Sequence, residues 1–273
     1  MNRKGNLFLA FELAIVLVIT AVAVLAPVIV PHDPYAVNLS QKLLPPGAEY
    51  PLGTDQLGRC VLSRLMYGAR RSLGSALAAL VAAVLLGSVM GLLAGFFGGV
   101  TDKIVLWLCD VMLTFPGTLL ALVIVGMFGA DLKNLVFAIA AVSWAGYART
   151  IRSMVRTERS APYVRLAVIS GAGRLRILFR QIVPNIIMPA LTLSVSSISG
   201  MIMRVAGMSF IGLGARLPAA EWGLMISSSR EMLSRDPWLM LSATSAIFIT
   251  SLGLNLIGDG LRDKYNPTGR TGA

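Results

Sequence analysis

The chain has 273 residues, of which 56% are apolar and 14% charged, with a mean hydropathy of +0.75 and a formal net charge of +11. An ordinary soluble domain carries roughly 25% charged residues, and this chain holds several apolar runs of the ~20 residues needed to cross a ~30 Å hydrocarbon core; a soluble enzyme is excluded. The basic residues gather between apolar runs, which argues for membrane orientation over nucleic-acid binding, and His32 as the single histidine, with no C-x-x-C or H-x-x-x-H spacing, argues against an intrinsic metal cage.

The first apolar run, 7–30, follows Arg3 and Lys4 and is interrupted only by Glu12, whose position near the inner end suits snorkelling. It is longer than a signal-peptide core and lacks a clean A-x-A site, so it reads as a retained signal anchor. A stretch from 31 to 71 follows, with Pro31, Pro34, Pro45, Pro46 and Pro51, too many for a continuous helix. It reads as a structured external loop containing Cys60.

The second span, 72–97, has no charge, and Ser75, Ala79, Ala83, Gly87, Gly91 and Gly95 recur at every fourth position. Such a stripe of small residues lets another helix backbone approach closely. The third span, 104–128, contains Asp110, Cys109 and Pro116, and a fourth apolar run, 135–148, is short enough to be re-entrant by length alone. Charge decides in favour of spanning. The segment 149–181 holds Arg149, Arg152, Arg156, Arg159, Arg165, Arg174, Arg176 and Arg180 against Glu158 alone, which places it and the amino terminus in the cytoplasm. The run 182–213, broken by Pro184, Pro189 and Arg204, holds a fifth span at about 186–203; a sixth covers 238–257, and the tail with Arg262, Lys264 and Arg270 returns to the cytoplasm. The prediction is six transmembrane helices with both termini inside, divided into an anchor and external loop (1–71), a permease core (72–265) and a tail (266–273).

No G-x-x-x-x-G-K-[ST] is present, so ATP is not cradled by that route, and the Gly171–Gly173 pair follows no strand and lacks a third glycine. Within 149–181, Tyr163, Val164, Leu166, Ala167, Ile169 and Ala172 make a short helix with an apolar face between arginines. That face calls for a partner protein surface or for anionic lipid.

Three residues of this segment, Ala167, Gly171 and Pro184, match the loop pattern of binding-protein-dependent ABC importer permeases, with Arg165 and Leu166 in place of the usual Glu and Ala and Gln181-Ile182-Val183-Pro184 standing for I-x-L-P. The chain also carries Leu52-Gly53-Thr54-Asp55-Gln56-Leu57-Gly58-Arg59, then Ser63-Arg64-Leu65, Gly68-Ala69-Arg70 and Ser72-Leu73. Together with Asp110, Phe115-Pro116, Ser209-Phe210-Ile211-Gly212-Leu213-Gly214 and Trp222-Gly223, these resemble the dipeptide, oligopeptide and nickel permeases over nearly the whole chain, as the C-type member of the pair. Cys60 stands where that family usually has Asp. Arg204-Val205-Ala206-Gly207-Met208, where peptide-type members usually carry a glutamate, and Ala220-Glu221-Trp222-Gly223 are similar to the nickel type.

The resemblance implies the type I ABC importer architecture in a bacterial inner (cytoplasmic) membrane, with a cytoplasmic coupling helix. It implies a second permease subunit, two nucleotide-binding subunits that use ATP and Mg, and an external solute-binding protein, with no catalytic residue, cofactor or metal in this chain. The expected coupling residues are Tyr163, Arg165, Ala167, Gly171, Ala172 and Pro184. Asp110, Arg204 and Met208 are candidates for the translocation path, since ionisable groups at membrane depth are costly, although Asp110 equally suits a structural pair with a neighbouring arginine. The cargo is a nickel or other metal chelate, or a short peptide. His32 is either solvated or at the outer mouth, and Trp222 either an interfacial anchor or a contact for the binding protein. A secondary transporter would need paired broken helices and a midplane ion site, and a scaffold would not need Asp110 and Arg204 at depth.

Overall fold

The computed structural model describes the backbone of residues 3–265 and the side chains of 14–260. The side chains of Arg3, Lys4, Glu12, Arg262 and Lys264, and the tail 266–273, lie outside the described residues. The described chain is helical, with one isolated β-bridge between Thr54 and Cys60. Ten α-helices follow in order: α1 (Arg3–Ile29), α2 (Val61–Phe97), α3 (Gly99–Thr114), α4 (Gly117–Phe128), α5 (Leu132–Arg159), α6 (Pro162–Ile169), α7 (Arg174–Ile177), α8 (Val183–Phe210), α9 (Trp222–Ser229) and α10 (Pro237–Tyr265).

Three stretches are long and apolar enough to cross a membrane: α2, the run Arg174–Phe210, and Pro237–Gly260 of α10. The α3–α4 pair passes the same test jointly, bent by 88°. The third expected span is therefore not one straight helix. Pro116 has no N–H to donate and forces the preceding residue out of the helical region; Phe115 accordingly sits at φ −90°, ψ 142°.

Two other helices overrun their expected limits. The second span was placed from residue 72, but α2 begins at Val61, because an external helical turn can be polar and still be helical. Ser63 and Arg64 are buried there among loop partners. Likewise α5 does not stop at Ala148: it continues through Arg159, and its apolar stripe persists in Ile151 and Val155, which are 3% and 0% exposed. The segment expected as a loop from 149 is thus helical over its first part.

Two compact units are built from alternating pieces of chain. The first comprises Met1–Ala78, Leu122–Ala138 and Ile198–Ile257, the second Ala79–Ala121, Ile139–Ser197 and Gly258–Ala273. Neither corresponds to a continuous domain of the sequence. Within the second unit the small-residue stripe of α2 does what its spacing predicted. A Cβ on Gly87 would lie 2.7 Å from the Trp144 carbonyl oxygen, one on Gly91 2.6 Å from that of Ala148, and one on Gly95 2.8 Å from that of Arg152. The α2 and α5 backbones are in direct contact along this row, a separation only glycine permits.

Candidate functional site

In the second unit, the end of α5, the helix α6 and the start of α8 form one segment on a small core. Val164 is buried in a cluster with Phe96, Ile151, Val155, Ile177, Leu178, Ile182 and Ile186, and Ala167 and Ala172 lie against it. Pro162 opens α6 at its first turn, where a missing N–H costs nothing. The helix ends in a Schellman cap: Gly171 N–H donates to the Val168 carbonyl at 3.0 Å and Ala172 N–H to the Ala167 carbonyl at 3.0 Å, with Gly171 at φ +76°. A side chain on Gly171 would meet nothing within 4 Å, so the glycine is required within the chain by its backbone angle and not by crowding.

The Tyr163 hydroxyl donates to the Glu158 carboxylate and accepts from Asn185 Nδ2 at 2.9 Å, which ties the entrance of α6 to both α5 and α8. Burial, and after it the Glu158 carboxylate, raise the Tyr163 phenol above its ordinary range, so it remains a proton donor at neutral pH. Arg165 and Pro184 are exposed. Pro184 follows a π-helical turn, 178–182, in which the Val183 N–H reaches back to the Leu178 carbonyl; the proline cannot donate to residue 180, and the wider turn accommodates its ring. What remains uncovered is apolar: Leu166 is 63% exposed, Val168 58% and Ile169 82%. Of the arginines of 149–181, Arg149 pairs with Asp110, Arg152 and Arg156 with Asp102 in the first turn of α3, and Arg159 lies 6.0 Å from the Phe96 ring centroid.

The first unit holds the other candidates. Arg204 is on an exposed face of α8, whereas Met208 is buried, and its carbonyl accepts the Leu213 N–H at 3.0 Å in a second Schellman cap around Gly212, φ +88°. The Ser209–Gly214 motif is thus the terminus of α8. A Cβ on Gly214 would fall 2.0 Å from Ser209 Oγ. An apolar cavity of about 600 Å³ lies between α8 and α10, lined on α8 by Met203, Ala206, Gly207 and Phe210; Arg204 and Met208 are not part of its wall. Asp110 and Arg204 belong to different units.

Residues of the outer loops form a largely buried polar network in the first unit. Asp55 accepts the backbone N–H groups of Leu57 and Arg59 at 2.9 and 3.0 Å and pairs with the Arg59 guanidinium at 2.7 Å. Arg64, 2% exposed, donates to the carbonyls of Pro34 (3.0 Å), Pro218 (3.3 Å) and Ala219 (3.1 Å). Glu221 caps α9 through the N–H groups of Gly223 and Leu224 and accepts from Ser72 Oγ at 3.0 Å. Trp222 is 2% exposed and donates to the Leu65 carbonyl at 2.9 Å, so in this structure it is an internal strut. His32 stacks on Tyr50 with centroids 4.7 Å apart. No group of three metal-binding side chains occurs among the described residues.

An all-helical chain with several membrane-length helices defines a multi-span membrane protein, and the comparisons make it a permease. Residues 83–270 match the family described as binding-protein-dependent transport system inner membrane component, and residues 12–46 match the N-terminal TM domain of oligopeptide transport permease C. The chain is 40% identical over 268 residues to the nickel transport system permease protein NikC of Escherichia coli K12, covering 96% of this chain and 97% of that one. It is 37% identical over 270 residues to the dipeptide transport system permease protein DppC of Haemophilus influenzae (97% and 92% covered) and 39% identical over 261 residues to the di/tripeptide permease DppC of Pseudomonas aeruginosa (93% and 86%). The chain belongs to the binding-protein-dependent inner membrane component family: it is a permease subunit of an ABC importer.

Proposed function

We propose that this permease forms half of the pore of an inner-membrane importer for a nickel or other metal chelate, with a short peptide as the alternative cargo. The observation that carries the first reading is 40% identity to a nickel permease along essentially the full length of both chains; the second is favoured by dipeptide permeases at 37% and 39%. Arg204 favours an anionic form of either cargo. A cation at membrane depth repels a free divalent metal and attracts a carboxylate-bearing chelate or peptide terminus.

In this reading the chain spans six times with both termini cytoplasmic, α1 and α5 completing the count. A second permease subunit closes the pore, an external solute-binding protein delivers cargo, and two ATPase subunits bind ATP and Mg; this chain binds no cofactor of its own. Tyr163, Arg165, Ala167, Gly171, Ala172 and Pro184 couple the chain to the ATPases, the uncovered face of α6 seating in an ATPase groove while Val164, Ala167 and Ala172 carry its displacement into the helices beneath. Asp110, Arg204 and Met208 are the proposed path residues, Asp110 through its pair with Arg149 and Met208 through the end of α8. The permease supplies two arrangements and ATP binding biases them.

The test is uptake of nickel citrate and of a dipeptide by the reconstituted transporter. Arg204→Glu is expected to depress chelate uptake far more than Arg204→Lys. Equal uptake by both variants would remove Arg204 from the path, and transport of peptides alone would remove the nickel assignment.

A further inference from the structure

In the first unit two cavities meet at the same residues, Arg70 and Gly74. One, of about 400 Å³, is walled by α1, α2, α8 and α10 with apolar side chains including Ile19, Ala23, Leu73, Leu77 and Leu254. The other, of about 600 Å³, lies between α2 and the start of α5 and is lined by Arg70, Arg71 and Lys133 together with Tyr67 and Ser75. No carboxylate lines either cavity, and among the described residues none pairs with these three cations. Asp131 is close in sequence, but it accepts the Lys133 backbone N–H at 2.8 Å and serves the N-terminus of α5.

An apolar chamber that ends on the same arginine as a tri-cationic chamber has the chemistry of an anionic amphiphile. We propose that Arg70, Arg71 and Lys133 hold the phosphate of an anionic phospholipid whose acyl chain occupies the cavity along Leu73 and Leu77. A small anionic cargo would use the cationic chamber and leave the apolar one empty; a lipid fills both. On the six-span topology the three cations stand at the outer interface, at headgroup level. The site is independent of which cargo is transported.

The complete transporter, purified with its partner subunits, is equilibrated with dioleoylphosphatidylglycerol, with dioleoylphosphatidylcholine, or with the former plus inorganic phosphate, and retained lipid is counted by native mass spectrometry. Phosphatidylglycerol is expected to be retained selectively. The Arg70→Gln, Arg71→Gln, Lys133→Gln variant should lose retention on the order of a hundredfold, each basic residue facing an anionic lipid being worth roughly fivefold. Arg70→Lys with Arg71→Lys should retain it, and Leu73→Trp, which fills the apolar chamber and leaves every charge, should reduce it severalfold; these two variants carry the test if the triple variant does not fold. Equal retention of phosphatidylcholine, undiminished retention in the triple or the Leu73→Trp variant, or complete displacement by inorganic phosphate would each overturn the proposal.

Discussion

Gly171 is a position where a glycine is needed for its backbone angle and not for space, which makes its proposed coupling role testable apart from folding. Its φ of +76° lies in the left-handed region, which costs an L residue about 1–2 kcal/mol, yet the space around it is open. Gly171→Leu is therefore expected to leave the permease inserted at near-normal abundance while abolishing substrate-stimulated ATPase activity in the assembled complex. Gly171→Asn, which tolerates the left-handed conformation, should keep most of that activity. Normal stimulation in the Leu variant would remove Gly171 from the coupling surface. Arg64 presents the opposite case: it is buried and donates to three carbonyls, so Arg64→Ala leaves those acceptors without their donor, at a cost of about 1–3 kcal/mol for each left unsatisfied, while Asp55 keeps its pair with Arg59. Immunoblots of membranes should show that protein depleted, with Arg64→Lys only partly restored because an ammonium lacks the fork geometry.

Among the elements, the α2–α5 contact is the most exacting. Gly91→Val would push a side chain into the Ala148 carbonyl, 2.6 Å from the Cβ, and is expected to lower the temperature at which the detergent-solubilised subunit aggregates by several degrees. Gly126→Val, with nothing within 4 Å, serves as the control. If the two variants aggregate together, the close approach carries no stability. This contact was readable beforehand, because a fourfold repeat of small residues has one physical use in an apolar helix. The limits of α2 and α5 were not readable, because hydropathy reports where lipid ends and says nothing of where helical hydrogen bonding ends. The break at Pro116 was missed, since 104–128 reads as one apolar span by hydropathy, and its 88° angle depends on packing. The helix α6 was visible as an apolar face among arginines; the contacts that join Arg64, Glu221 and Trp222 to Ala219, Ser72 and Leu65 were hidden, since those partners lie some 150 residues away in the chain.

For the whole molecule, orientation is the testable quantity. The two native cysteines, Cys60 and Cys109, are both buried, so Ser160→Cys introduces an exposed thiol against a low labelling background. A membrane-impermeant maleimide should label it in inverted vesicles and not in intact cells. Labelling from outside would reverse the orientation and would place the uncovered face of α6 on the side away from ATP.

The alternation of chain segments between the two compact units also imposes a timetable on biosynthesis. Ser72 leaves the ribosome 149 residues before Glu221, the acceptor of its hydroxyl, and the first unit is complete only when Ile257 has been made. At roughly 5–20 residues per second the interval between those two residues is on the order of ten to thirty seconds. Throughout it Arg64 and Ser72 lack their distal partners, although Arg64 already has the Pro34 carbonyl and Asp55 within the synthesised chain. A chain truncated in that interval before Pro218 would lack the acceptors on Pro218, Ala219 and Glu221 and so could not close this polar interior.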